Sequence, residues 1–212
     1  ELESHGFYFT YPDQLDVKSK AWLRHYFEEH IYPVVTPLAV DSGHPFPFLT
    51  NHTINAIVRI FQVLPDGTKD YKIAILPIPS VLNRIIEIPS RSNKEHRFVY
   101  LEDVITYYAT QFFQGYGIED FMVFRITRDA DLEIDEEEAT DLLSEVEASL
   151  RRRRRGDAVR LEVCGDVKDN LLDFVLTSVE LDPKDVYRID GHLDCRMYFD
   201  FCNYPGLDHL RY

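Results

Sequence analysis

The chain has 212 residues, 45% hydrophobic and 28% charged, with 23 basic and 37 acidic side chains and a formal net charge of −14. That is one or two folded domains with ample core material, since 14 Phe, 13 Tyr and 1 Trp exceed what a disordered chain carries. The acidic balance argues against a general nucleic-acid binder and against adhesion to an anionic membrane, both of which need a basic face.

No stretch approaches the ~20 apolar residues of a membrane span, and no charged-then-apolar leader opens the chain. Cys164, Cys195 and Cys202 are odd in number and too few for a disulfide framework, so a reducing, cytoplasmic setting is expected. Glu1 rather than Met at the start suggests a piece of a longer polypeptide.

In chain order, Asp16 or Ser19 can cap a first helix whose apolar face is Trp22, Leu23, Tyr26, Phe27 and Ile31, ending before Pro33. A proline-punctuated loop runs on to His44-Pro-Phe-Pro-Phe48. Ile54–Val63 and Tyr71–Leu76, rich in β-branched residues, flank Pro65-Asp66-Gly67 and predict a hairpin. Val81–Ile88 reads as a short helix or an edge strand, and Phe98–Leu101 as a strand. Asp103 can cap a helix bearing Val104, Ile105, Tyr108 and Phe112, stopped near Gly115 and Gly117. Phe121–Thr127 and Ala158–Cys164 alternate as strands, Leu171–Val179 is helical, and Val186–Ile189 is a last short strand. The sum is an α+β fold with a mixed β-sheet packed against several helices.

The charge is concentrated. Residues 129–147 hold ten acids and no base, and Arg151–Arg155 follow directly. A helix accounts for both: Asp135 and Glu138 form a capping-box variant, acids crowd the first turns, arginines the last, and Gly156 stands at the stop. On this reading the arginine run is a solvated helix terminus.

Motifs for chemistry are sparse. The chain contains no GxxxxGK[ST], GxGxxG, GxSxG or HExxH pattern. His192-x-x-Cys195 with Cys202 lacks a fourth ligand at a familiar distance, so small buried thiols are favoured over zinc. Arginines remain. Arg125 and Arg128 are three apart and so lie on opposite faces of an extended strand, and Arg160 alternates with apolar neighbours on its own strand. Burying any of them unpaired is costly, so each is expected to meet a carboxylate or an anion, an internal salt bridge being the plainer outcome.

Three long stretches, in order, carry a resemblance. They are Pro33-Val-Val-Thr-Pro-Leu-Ala-Val-Asp41 with His44-Pro-Phe-Pro-Phe48; Phe124-Arg-Ile-Thr-Arg-Asp-Ala-Asp-Leu-Glu-Ile-Asp-Glu-Glu-Glu138; and Arg152-Arg-Arg-Arg-Gly156 with Val159-Arg-Leu-Glu-Val163. From about Trp22 to Leu210 the chain resembles the middle, or head, domain of the long multidomain form of polyphosphate kinase.

The resemblance implies the fold of that domain and a parent enzyme that reversibly transfers the terminal phosphate of ATP to inorganic polyphosphate with Mg²⁺. Such enzymes work through a phosphohistidine on C-terminal domains, an N-terminal helical domain contributes to the adenine site, and the head is implicated in dimerisation. Residues 1–212 are then a single head domain lacking those flanking domains. None of its eight histidines stands in the family's phosphohistidine context.

The expectation is a non-catalytic domain that supports dimerisation and frames the substrate tunnel, with no catalytic residue and no metal ligand. ATP and Mg²⁺ belong to the parent and neither is bound by this chain alone. Its expected partners are polyphosphate, its own N- and C-terminal domains and a second subunit of a homodimer. By motif position and charge, the candidates for contact with polyphosphate are Arg128, Arg160, Arg152, Arg153, Arg154 and Arg155. The alternative from another class is a stand-alone polyanion-binding or protein-interaction module.

Overall fold

The hairpin is where local sequence dictates most. β3 (Ile54–Val63) and β4 (Lys69–Pro77) pair antiparallel from Asn55↔Pro77 to Val63↔Lys69 in the computed structural model, which describes residues 2–90, 95–129, 156–207 and 210. The turn closes with the Leu64 N–H donating to the Thr68 carbonyl at 2.8 Å and the Thr68 N–H to the Asp66 carboxylate at 2.9 Å. Gly67 takes the left-handed φ of 83° that this turn demands.

Around that hairpin a six-stranded sheet forms in the order β2-β4-β3-β7-β8-β9. Its other members are β2 (Leu38–Val40), β7 (Gly117–Arg128), β8 (Ala158–Cys164) and β9 (Val186–Ile189). All neighbours are antiparallel except β8 and β9. A parallel pair needs a crossover, supplied here by the helix between them, Asp169–Val179. A second, three-stranded sheet sets β6 (His96–Tyr100) between β1 (Phe7–Phe9), parallel, and β5 (Ile85–Ile88), antiparallel. Among the described residues the expected mixed sheet is therefore two mixed sheets.

Strand alternation sorts the core into layers. On one face of the large sheet Ile57, Ile75, Met122, Phe124, Ile126, Leu161 and Val163 meet Leu171, Leu172, Val175 and Leu176 of the crossover helix. The opposite face, with Ile54, Ala56, Val58 and Ile60, packs on α1 (Val17–Tyr26), α2 (Leu101–Tyr107) and the inner residues of the small sheet. The crossover helix is thus α3, and α4 (Met197–Phe201) follows it. The small sheet's outer side is closed by Phe7, Phe98, Phe201 and Leu207.

Several expectations hold and others are corrected. Asp16 is the cap of α1, its carboxylate accepting from the N–H groups of Lys18 at 2.9 Å and Ser19 at 3.1 Å. Leu23, Phe27 and Ile31 are fully buried along that face, which continues past α1 through one wider turn, Phe27–Ile31. Ile85–Ile88 is the edge strand of the two alternatives for Val81–Ile88.

Asp103 does not cap α2. The helix starts at Leu101, straight off β6, so Asp103 lies inside its first turn with its carboxylate on His192. Nor do Gly115 and Gly117 stop that helix, which ends at Tyr107; Gly117 opens β7 instead. The Phe61 ring lies flat over it, and a Cβ there would sit 2.5 Å from the ring. The helix expected over Asp135–Arg155 lies outside the described residues.

Candidate functional site: an arginine network at the sheet end

β7 and β8 pair in the register Phe124↔Val163, Arg125↔Glu162, Ile126↔Leu161 and Thr127↔Arg160, then slip by one residue to Arg128↔Ala158. The apolar members of that ladder face α3. Arg125, Arg160 and Glu162 therefore share the other face. Arg128 falls with the apolar set, beside Leu49. Of the sequence candidates, Arg128 and Arg160 are thus on opposite sides of the sheet, and Arg152–Arg155 lie outside the described residues.

On the Arg160 face a network has formed. Glu162, buried, accepts from Nε of Arg125 and stands 3.3 Å from the Arg160 guanidinium. Arg160 also stacks over the Tyr187 ring at 4.0 Å. Arg125 reaches on to Asp194 at 3.5 Å, and Asp194 is gripped in a fork by Arg196 at 2.8 and 2.6 Å. The Arg196 hydrogen bonds, reinforced by the charge of Arg125, hold the Asp194 carboxyl down at about 2, against the pull of partial burial.

Asp194 adopts φ 58°, a left-handed conformation rarely taken by a residue with a side chain. Its own carbonyl and that of Leu193 accept from Arg84, whose guanidinium forks onto the buried Glu102 with Nε 3.0 Å from one carboxylate oxygen. Two β-strands of the large sheet, the start of α2 and the segment at Leu193–Arg196 are tied together by these charges. Glu102, Glu162 and Asp194 are each engaged by arginine, and no carboxylate of the network is left as a base or nucleophile.

Arg128 is held differently. Its Nε donates to the Leu49 carbonyl at 3.0 Å, one terminal nitrogen donates to the Gly156 carbonyl at 2.9 Å, and its carbon lies 4.3 Å over the Phe48 ring. Asn51 clasps its backbone on both sides, and burial lowers its pKa against the pull of Asp157. Among the described residues its partners are carbonyl dipoles and a ring face. Gly156 is required there, since its φ is +44° and a Cβ would fall 2.0 Å from the Asp129 carbonyl oxygen.

His192 donates or accepts at 2.8 Å with Asp103 and stacks on Tyr100 with centroids 3.6 Å apart. The discounted zinc reading of His192 with Cys195 and Cys202 gains nothing from that geometry. Among the described residues no three His, Cys, Asp or Glu side chains stand together as a metal site. With the network's carboxylates committed to arginine, these residues do not fit a Mg²⁺ centre.

Sequence reasoning named Arg125 and Arg160 but missed Arg84, Glu102, Asp194 and Arg196, which complete the network. Glu162 was legible as the charged partner in Val-Arg-Leu-Glu; Asp194, in a loop, carried no signal.

Fold and site together define an α+β scaffold in which, among the described residues, the clustered arginines and carboxylates pair with one another. Residues 18–201 match the model of the polyphosphate kinase middle domain. The chain is 41% identical over 203 residues to a polyphosphate kinase of Halalkalibacterium halodurans, covering 95% of this chain and 28% of that protein. It is 35% identical to one of Pseudomonas syringae, over 100% of this chain and 29% of that protein. The crystal structure of polyphosphate kinase from Porphyromonas gingivalis superposes with a TM-score of 0.71 at 24% identity, covering 91% of this chain and 26% of that one. The chain belongs to the polyphosphate kinase middle-domain family. It spans less than a third of the length of these curated relatives.

Proposed function

We propose that residues 1–212 act as one non-catalytic head domain within a longer polyphosphate kinase. That enzyme would move the terminal phosphate of ATP reversibly onto polyphosphate. The observation that carries this reading is the middle-domain match over residues 18–201. The arginine network supports it from the physical side, because groups locked in mutual ion pairs stabilise a scaffold and leave no activated nucleophile for phosphoryl transfer. ATP, Mg²⁺ and the phosphohistidine then belong to the rest of the polypeptide. Support for dimerisation, a share in framing the polyphosphate path and a cytoplasmic setting complete the proposal. Among the described residues no helix is long and apolar enough to cross a membrane.

Arg128, Arg160 and Arg152–Arg155 remain the proposed contacts for the polyanion. Because Arg128 and Arg160 occupy opposite faces of the sheet, those two serve separate surfaces rather than one. The test compares the full-length enzyme with this chain alone, each given radiolabelled ATP and Mg²⁺. Labelled polyphosphate is expected from the full-length protein and none from the chain. Synthesis by the chain alone overturns the scaffold role, and none by the full-length protein overturns the kinase reading.

A further inference from the structure

A cavity of about 440 Å³ opens beside the arginine network. In it His52, Arg125 of β7, Glu162 of β8 and Ile189 of β9 face the segment His192–Arg196. The volume falls within the ~300–1,000 Å³ typical of ligand pockets. Two of its lining residues are strained. Among the described residues three non-glycine residues take a left-handed φ, and two of them, His52 at 61° and Asp194 at 58°, line this cavity. The His52 backbone is pinned by its N–H on the Ile126 carbonyl at 3.0 Å, and Asp194 by the Arg196 fork. Such conformations persist only where the surrounding structure enforces them, and they gather at ligand sites.

Charge selects the ligand. Three guanidiniums, of Arg125, Arg160 and Arg196, share the two carboxylates of Glu162 and Asp194. The carboxylates are the sheltered members, with side chains 9% and 14% exposed. Arg160 and Arg196, at the two ends of the row, are 42% and 69% exposed. One positive charge is therefore in surplus within the network, and its cations are what meet water. Asp103, behind the cavity wall, is taken by His192.

Nor are the donors spent. An arginine carries five N–H donors, and Arg196 places two of them on Asp194. Arg125 gives Nε to Glu162 and stands 3.5 Å from Asp194, which is long for a hydrogen bond. Arg160, outside the cavity lining but resting on Glu162, has a buried Nε with no hydrogen-bond partner. Two carboxylates do not saturate these three guanidiniums. Planar donors in surplus around a concave site suit an oxyanion, phosphate above all. A row of arginines continuing from the cavity to Arg160 suits an anion of repeated charge better than a single ion.

We infer that this cavity seats a phosphate group of polyphosphate on Arg125, Arg196 and His52, with Arg160 meeting the adjoining part of the chain. This rests on the reading of the protein as one domain of a longer polyphosphate kinase, and it adds three residues to the contacts proposed for the polyanion.

The test uses the full-length enzyme and end-labelled polyphosphate of a single length, its binding followed by fluorescence anisotropy over a series of salt concentrations. Arg196→Gln and His52→Asn are each expected to weaken binding about tenfold. Asn is chosen because it tolerates the left-handed backbone, and this second variant leaves the ion pairs untouched. Arg196→Gln should also lower the slope of log affinity against log salt by about one. Arg24→Gln, which removes a comparably exposed cation from α1, should change neither quantity. Unchanged affinity in either cavity variant overturns the proposal. So does an equal loss in Arg24→Gln, since any surface cation would then serve. Binding of labelled ATP is measured on the same variants and is expected to stay the same. A tenfold loss for ATP, with or without one for polyphosphate, overturns the proposal by assigning the cavity to the nucleotide. Polyphosphate synthesis by the wild-type enzyme is read in parallel. An active enzyme whose variants bind normally defeats the cavity alone, and an inactive one whose variants bind weakly defeats the kinase reading alone.

Discussion

Glu102 has almost no contact with water, its side chain 3% exposed against 15% for its partner Arg84. A buried charge of this kind is tolerable only while its partner is present. Glu102→Ala is expected to cost about 3–5 kcal/mol of stability, measured by urea unfolding, because Arg84 is left charged and unpaired. The double change Arg84→Met with Glu102→Leu should recover most of that loss, since it removes both desolvation penalties.

Asp194 sets a pH dependence. Its folded pKa, held down at about 2 by Arg196 and Arg125, lies below the ordinary value of about 3.9 for an unfolded Asp. The carboxylate therefore contributes stability that is present above about pH 4 and lost as the pH falls toward 2. In thermal melts across that window, Asp194→Asn should be less stable than the parent at pH 6 and should lose less on acidification. Equal acid slopes for the two proteins would contradict the assignment.

At the scale of elements, β7 illustrates both what pattern reading finds and where it stops. The alternation of Phe121–Thr127 is visible locally, yet the strand extends back to Gly117, where only the flat approach of Phe61 from β3 explains a glycine. Gly117→Ala is expected to destabilise by about 1–3 kcal/mol through overpacking against that ring. With Phe61→Leu in the background the same change should cost markedly less, so a double-mutant cycle on unfolding free energies reads the contact directly.

β8 and β9 match their expected bounds, and α1 and α3 their expected faces, because each has a strong period of its own. β1, β2 and α4 had no such signal. Three to five residues are too few to show a period, and these elements exist through the strands and rings they meet. Asp103 shows the same limit, since a competent capping residue was drawn inside the helix once β6 ran directly into α2.

Across the whole molecule, the C-terminal segment is fastened by aromatic side chains as well as by Arg84 and Arg125. The hydroxyl of Tyr198 meets that of Tyr100, and the hydroxyl of Tyr204 meets Glu87 and His96. Burial, then these hydrogen bonds, raise the pKa of Tyr100 and of Tyr204 above the ordinary phenol. Their neutral forms therefore contribute stability that is complete below about pH 10 and lost as the pH rises beyond it. Melting temperatures between pH 9 and 11 should fall less steeply in Tyr100→Phe/Tyr204→Phe than in the parent, by the sign of those shifts. Parallel slopes would show that other groups govern the alkaline limit.

By itself the sequence determined the α+β class, the hairpin, the cap of α1 and, through three ordered motifs, the family. Those are properties of local period, turn chemistry and residue order. Only the tertiary structure decided that the described strands divide into two sheets, that Arg128 and Arg160 look in opposite directions, and that Arg160 shares Glu162 with Arg125. The physical reason is that facing depends on strand register, and the strength of an ion pair depends on how much water is removed around it. Both arise from segments brought together from distant parts of the chain, as Asp194 is brought to Arg84 and Arg125.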